Sequence, residues 1–253
     1  SPEDVVDKIK HLVEVVIPQQ YGIEPKDVQI LAAMRKKVAG ASNLNYKLKQ
    51  AFNPKALDSS TSFRRLGNTT YHVGDRIMQE RNRYDLDIQN GEVGTIVEFD
   101  EQKRKIVVDM GDRVVLLPYD NYVNMTHAWA KTIHKSQGSE YPCVIISMPS
   151  DHQFMLYQNM LFTAMTRGKA HVFLVSSKLT LELTVKNGKM VNGEIVENAN
   201  FRKRLTHLPF LLSEAVCAKS EHKTLKLMAE GSRAIKPPKP VHTIDTDSIY
   251  IPF

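Results

Sequence analysis

Residues 130–146 read AKTIHKSQGSEYPCVII. A polar patch containing Thr132, His134, Lys135, Gln137, Gly138 and Glu140 runs directly into an apolar segment that follows Pro142. A connecting loop needs turn residues, but it does not need a cation, an amide and an acid packed around one glycine. The apolar segment reads as a strand buried on both faces, as strands of a parallel layer are. Ligands of such layers bind beyond the strand ends, where backbone amides and side chains converge. Gly138 would let the backbone approach a ligand closely, and Glu140 would accept from sugar hydroxyls. Thr132, His134 and Lys135 would donate to phosphate oxygens. The plainer alternative is a solvated helix end capped by Gly138, and composition leaves both open.

Outward from this stretch, the same alternation of helix and strand appears on both sides. Upstream, VQILAAM at 28–34 reads as another buried parallel strand. The basic turn Arg35-Lys36-Lys37 leads from it to a helix carrying Leu44, Leu48, Ala51 and Phe52, closed by Asn53-Pro54. At the start, Ser1 suits an N-cap and Pro2 the first helical position. Val5, Ile9, Leu12, Val13 and Val16 then share a helical face until Pro18 stops it. With no strand before that helix, the chain reads as a piece cut inside a domain. Downstream, 129–137 reads as helical, 144–148 as a strand, 156–167 as a helix and 171–175 as a strand. The DSSTS run at 58–62 is a polar connector.

Between these parts the period changes. Segments 76–79, 93–99, 105–109 and 113–117 are short β-runs separated by turns such as Asn90-Gly91 and 110–112. Even spacing of that kind predicts a small antiparallel barrel inserted in the α/β layer and ending near Asn124. Past residue 178, LELTVKNGKMVNGEIVE suggests a hairpin turning at Asn187-Gly188, 205–226 has mixed helical character, and KPPKP opens a basic tail.

Composition narrows the partners. The chain has 253 residues, a formal net charge of +6, 42% hydrophobic and 25% charged residues. That is ordinary globular composition with a modest preference for an anionic partner. Its two cysteines, Cys143 and Cys217, form no CxxC pair, which argues against a disulfide framework or a cysteine-rich zinc site. No apolar run approaches the roughly 20 residues of a membrane span, so the expectation is a cytoplasmic protein without membrane contact.

Phosphate chemistry is signalled by omission as well as by presence. No GxxxxGK[ST] loop occurs, and the IVEFDE run at 96–101 reads as a charged hairpin end, not a metal-binding strand. A second polar cluster lies at 158–169, QNMLFTAMTRGK, where Arg167 sits in the last turn of a helix just before Gly168. A cation there gains from the helix dipole. An arginine fixed at such a stop is also what a trans-acting arginine finger requires, reaching the γ-phosphate held by another domain.

These blocks together resemble a known family. AKTIHKSQGSEYPCVII followed by NMLFTAMTRGKAHVFLV resembles motifs V and VI of superfamily-one helicases of the RecD-like branch. QILAAMRKKVAGASNLNYKLKQAFNP resembles that family's motif IV segment, and HVGDRIMQERNRYDLDIQNGEVGTI the start of its inserted SH3-like barrel. The resemblance runs from about residue 28 to 177. It implies a RecA-like α/β layer without its own P-loop: a second RecA-like domain in two pieces, 1–71 and 124–178, with the barrel at 72–123 and a C-terminal extension at 179–253.

The function implied is the C-terminal motor half of an ATP-dependent DNA helicase that moves 5′ to 3′ on single-stranded DNA, inactive as an ATPase when isolated. Arg167 is implied as the finger. Gln137, Gly138 and Glu140 would line the ATP cleft, with Arg35, or Lys36 or Lys37 in its place, on the nucleotide phosphates. Thr132, His134, Lys135 and Asn90 would follow the DNA. ATP and Mg2+ are the implied cofactors, the metal ligands lying in an upstream half. Implied partners are single-stranded DNA, duplex junctions, the protein's own N-terminal RecA-like domain and exonuclease subunits. Two other readings remain: a non-catalytic nucleic-acid-binding module, and a RecD-type subunit of a multi-subunit exonuclease.

Overall fold

The computed structural model describes residues 1–186, 188–191, 194–197 and 249–252. It opens with α1 (Pro2–His11), whose Ser1 cap accepts from the Asp4 N–H while the Asp4 carboxylate takes the Ser1 amine. Pro18 does not end this helical segment as the sequence led us to expect. Leu12–Val16 forms a π turn, and α2 (Ile17–Tyr21) continues to Gly22, whose φ of 64° terminates it. Proline lacks an N–H and its ring crowds the carbonyl one turn back. A π turn directly ahead shifts the bonding to five residues, Ile17 N–H to the Leu12 carbonyl, and so makes room for the ring.

The layer itself is built from β1 (Val28–Ala32), α3 (Ala41–Phe52) and, much later in the chain, further strands. Between them lie β2 (Phe63–Leu66), β3 (Thr69–His72), β4 (Arg76–Gln79), β5 (Val93–Asp100), β6 (Lys105–Asp109), β7 (Val114–Pro118) and β8 (Met125–His127). The layer resumes with β9 (Ala130–Thr132), β10 (Tyr141–Met148), α4 (Gln158–Met165), β11 (Gly168–Ser176) and α5 (Lys178–Val185). The order across the sheet is β14-β11-β10-β1-β9, where β12 and β13 are the hairpin Gly188–Val191 and Glu194–Glu197, and β14 is Ile249–Pro252. Strands β9, β1, β10 and β11 are parallel, with Val28 beside Cys143 and Val144 beside Val172, and β14 adds an antiparallel edge.

Both faces are covered, which explains the unbroken apolar runs. Ile30 and Ile145 pack with Ile9, Val13, Leu44 and Leu48 on the side of α1 and α3. Leu31 and Ile146 pack with Leu161, Ala164 and Leu181 on the side of α4 and α5. Cys143 is buried in this core, and burial pushes its thiol up to about 12, so it acts as a small hydrophobe.

Several elements differ from the sequence reading. Residues 129–137, expected as helix, form strand β9 and then a 3-10 turn, Ile133–Ser136. The strand lies at the sheet edge, and the Asn45 amide of α3 bonds both the N–H and the carbonyl of Ala130 at 2.8 and 2.9 Å. A tertiary contact thus satisfies the backbone that a helix would have satisfied locally. Residues 181–185, expected as a strand, close α5, so the paired strands of the hairpin begin at Gly188, where the turn was expected, and run to the pair Val191 and Glu194. The hairpin β2–β3 and the strand β8 were not read from the sequence at all. The stretch 205–226 and the KPPKP segment lie outside the described residues.

The inserted strands form a five-stranded antiparallel sheet, β7-β6-β5-β4-β8, curled over Tyr71, Ile77, Ile96, Phe99, Ile106, Val108 and Leu117. A bulge between Ile96 and Glu98 breaks the register of β5 with β6, the usual means of bending a sheet on itself. One buried carboxylate docks it on the α/β layer. Asp75 accepts from Lys49 of α3 at 2.7 Å, from Asn53 at 2.8 Å and from His127 at 2.9 Å. Trp129 lies beside this joint as core, stacked between His127 and Phe52.

Candidate functional site

The sequence-predicted residues fall into two groups around the loop that leads from β9 to β10. The first is built at the N-terminal ends of β10 and β11. After the 3-10 turn, Gly138 takes a φ of 83° with open space where a Cβ would stand, so backbone conformation and not crowding selects glycine there. Ser139 then bonds back to the Ser136 carbonyl, and the Tyr141 N–H donates to the Arg167 carbonyl at 2.8 Å. That bond sets the loop against the end of α4.

Arg167 is half-buried. Its Nε donates to the Thr163 carbonyl at 3.2 Å, Nη1 to the Ser139 carbonyl at 3.1 Å and Nη2 to the Thr166 hydroxyl at 3.1 Å. All three acceptors are neutral, so the guanidinium is oriented without its charge being cancelled. Glu140 is exposed and sits 3.7 Å from Lys169. Gln137 and His134 are exposed, and the His134 carbonyl accepts the Gln137 N–H.

The second group joins three separate segments. The loop 35–40 after β1 brings Arg35 to Glu80, which stands just past the end of β4. Arg35 Nη1 lies 3.3 Å from Glu80 Oε1 and Nη2 3.4 Å from Oε2. Lys135, from the 3-10 turn, places its Nζ 3.1 Å from the same Oε1. Thr132 is half-buried at the end of β9 beside Ala32. Asn90 belongs to neither group. It lies in an exposed turn of the antiparallel sheet, where its N–H donates to the Asn82 side chain at 2.7 Å.

Residues 127–175 match the family model of the UvrD-like helicase C-terminal domain, and residues 44–110 match that of the ATP-dependent RecD-like DNA helicase SH3 domain. Two stretches of the chain are therefore similar to helicase domains, one of them the SH3 domain of RecD-like helicases. Strands β4 to β6 of the curled sheet lie within the stretch matched to the SH3 domain, and β9, β10 and most of β11 within the stretch matched to the C-terminal domain. The chain is 32% identical over 153 residues to the ATP-dependent RecD2 DNA helicase of Deinococcus radiodurans, a match covering 60% of this chain and 20% of that protein. It is 27% identical over 208 residues to the RecBCD enzyme subunit RecD of Mycolicibacterium smegmatis, covering 79% and 35%. It thus spans between a fifth and about a third of these relatives. A crystal structure of Pif1 helicase from Bacteroides in complex with ADP-AlF3 and ssDNA aligns with 87% of this chain and 51% of that one, at 16% identity and a TM-score of 0.40.

Several residues with a place in these two groups or beside them escaped the sequence reading. Ser139 acts through a carbonyl, which no side-chain pattern reveals. Glu80 left one trace, as a lone acid beside Arg81 and Arg83. Lys131 is buried on β9, with its Nζ 3.2 Å from the Tyr141 hydroxyl and 5.6 Å from that ring's centroid. Burial pulls its amine down to about 7, and the charges of Arg76 and Lys135 push the same way.

Proposed function

We propose that this chain is the C-terminal motor half of an ATP-dependent RecD-like DNA helicase, translocating 5′ to 3′ on single-stranded DNA and unwinding duplex. The observation that carries the reading is the setting of Arg167, half-buried and held by three neutral acceptors beside the Gly138 loop. A helix-end cation needs only the dipole. A guanidinium clamped in place by carbonyls of two segments, with its charge intact, is pre-organised to meet charge developing on a transferred phosphoryl group. On this reading Arg167 is the finger, and Gln137, Gly138 and Glu140 line the nucleotide cleft, Glu140 against the ribose. Thr132, His134 and Lys135 grip the DNA backbone, with Asn90 contacting the strand from the barrel. A grip on phosphates alone is what translocation without sequence preference requires.

The phosphate loop and the Mg2+ ligands are assigned to an upstream RecA-like domain, so this region alone is expected to hydrolyse no ATP. Residues 1–71 and 124–178 are assigned to the second RecA-like domain, 72–123 to the barrel and 179–253 to an extension. A subunit of a RecBCD-type exonuclease would use the same residues, and relatives of both kinds share this region.

The test is single-turnover ATP hydrolysis by the full-length protein and its Arg167→Ala variant, with and without single-stranded DNA. A loss of about a hundredfold or more with ATP still bound places Arg167 on the transition state. Unchanged hydrolysis leaves Arg167 a helix-end cation and favours a non-catalytic DNA-binding module.

A further inference from the structure

The nucleotide and the DNA backbone are separate ligands in the reading above, with Arg35 on the first and Lys135 on the second. The structure puts both cations on one carboxylate. Glu80 Oε1 lies 3.3 Å from Arg35 Nη1 and 3.1 Å from Lys135 Nζ. The three side chains come from three segments: the loop after β1, the barrel, and the turn after β9. Glu80 is firmly placed, because its backbone N–H donates to the Asn124 carbonyl at 2.6 Å and the adjoining Gln79 carbonyl accepts from Gly91. The side chains of Arg35, Lys135 and Glu80 are 60%, 34% and 20% exposed, so solvent screens these pairs and they exchange readily for a stronger anion.

Resting on the helicase reading, we infer that Arg35 and Lys135 form one seat for a phosphate group, and that the Glu80 carboxylate fills this seat until a phosphate displaces it. A carboxylate bridging two cations is a smaller and less charged substitute for a phosphate, which offers more oxygens to the same donors. The barrel would thereby act on the motor directly, by competing for the cations its ligand needs. The phosphate can come from a nucleotide or from a DNA backbone, since the donors suit either.

Glu80→Gln in the full-length protein separates the sources. Binding of oligo(dT) would be followed by fluorescence anisotropy over a range of salt concentrations, and binding of ATP by calorimetry. If DNA supplies the phosphate, the variant binds oligo(dT) about three- to tenfold more tightly at low salt. Adding Lys135→Gln abolishes the gain. If the nucleotide supplies it, the gain appears for ATP and is abolished by Arg35→Gln instead. Glu80→Ser removes the carboxylate without placing an amide in the seat, and must give the same result. Unchanged or weaker binding of both ligands by both Glu80 variants overturns the inference. A native protein that binds neither ligand would instead sink the helicase reading.

Discussion

Lys131 shows how one side chain can set a pH dependence. Its amine is buried, hydrogen-bonded among the described residues only to the Tyr141 phenol, and pulled down to about 7 from an ordinary value of 10.5. The unfolded chain holds that proton up to about pH 10.5, and the native state sheds it near 7. Between these values the unfolded state binds more protons, so native stability rises with pH across this window and is lowest below it. Lys131→Met keeps the volume and removes the charge. It is expected to be more stable by about 2 kcal/mol at pH 7, an order-of-magnitude figure, and to lose the rise toward pH 10. Urea unfolding of both proteins at pH 7 and pH 9.5 checks this. Stability curves that stay parallel across that range would show that the amine keeps its proton in the fold.

At the scale of elements, the loop that carries Arg35 depends on the absence of a side chain at its far end. A Cβ on Gly40 would stand 1.9 Å from the Lys36 carbonyl oxygen, although its φ of −80° suits any residue. The obstacle is backbone, held by bonds from the Ala41 N–H to the Met34 carbonyl and from Ser42 to Arg35. Gly40→Ala should therefore cost about 2 kcal/mol by forcing the loop open. It should also weaken whatever phosphate contact Arg35 makes. The urea midpoint measures the first effect, and a change below about 0.5 kcal/mol would mean that the loop yields freely. The π turn before Pro18 is the same kind of local accommodation, made inside a helix.

For the molecule as a whole, the decisive joint is Asp75, which fastens the barrel to α3. Burial alone would raise its carboxyl, but His127, Lys49 and Asn53 together hold it below the ordinary 3.8. A depressed carboxyl contributes stability that is complete above its unfolded value and is lost as pH falls through its lower folded value. The native protein should accordingly weaken as pH drops below about 4. Asp75→Asn leaves Lys49 facing no charge in a largely buried place. It is expected to cost about 3 kcal/mol at pH 7, to flatten the acid dependence and to loosen barrel from layer. Thermal melts at pH 7 and pH 3 test it, and a variant as stable as the native protein would show that the joint is held by apolar packing alone. Much of this architecture was legible in the sequence. Buried strands such as 28–34 and 144–148 declare themselves because both faces are covered, and the period-2 strands of the barrel because only one is. The stretch 130–146 and Arg167 stood out because polar chemistry was concentrated where packing did not call for it. The tertiary structure alone decided that 130–132 is a strand, since its backbone is satisfied by Asn45, a residue 85 positions away. It alone decided that Glu80 meets Arg35 and Lys135, at separations of 45 and 55 residues. Local pattern records what a residue's neighbours in sequence require, and it does not name the distant partners that the fold brings to it.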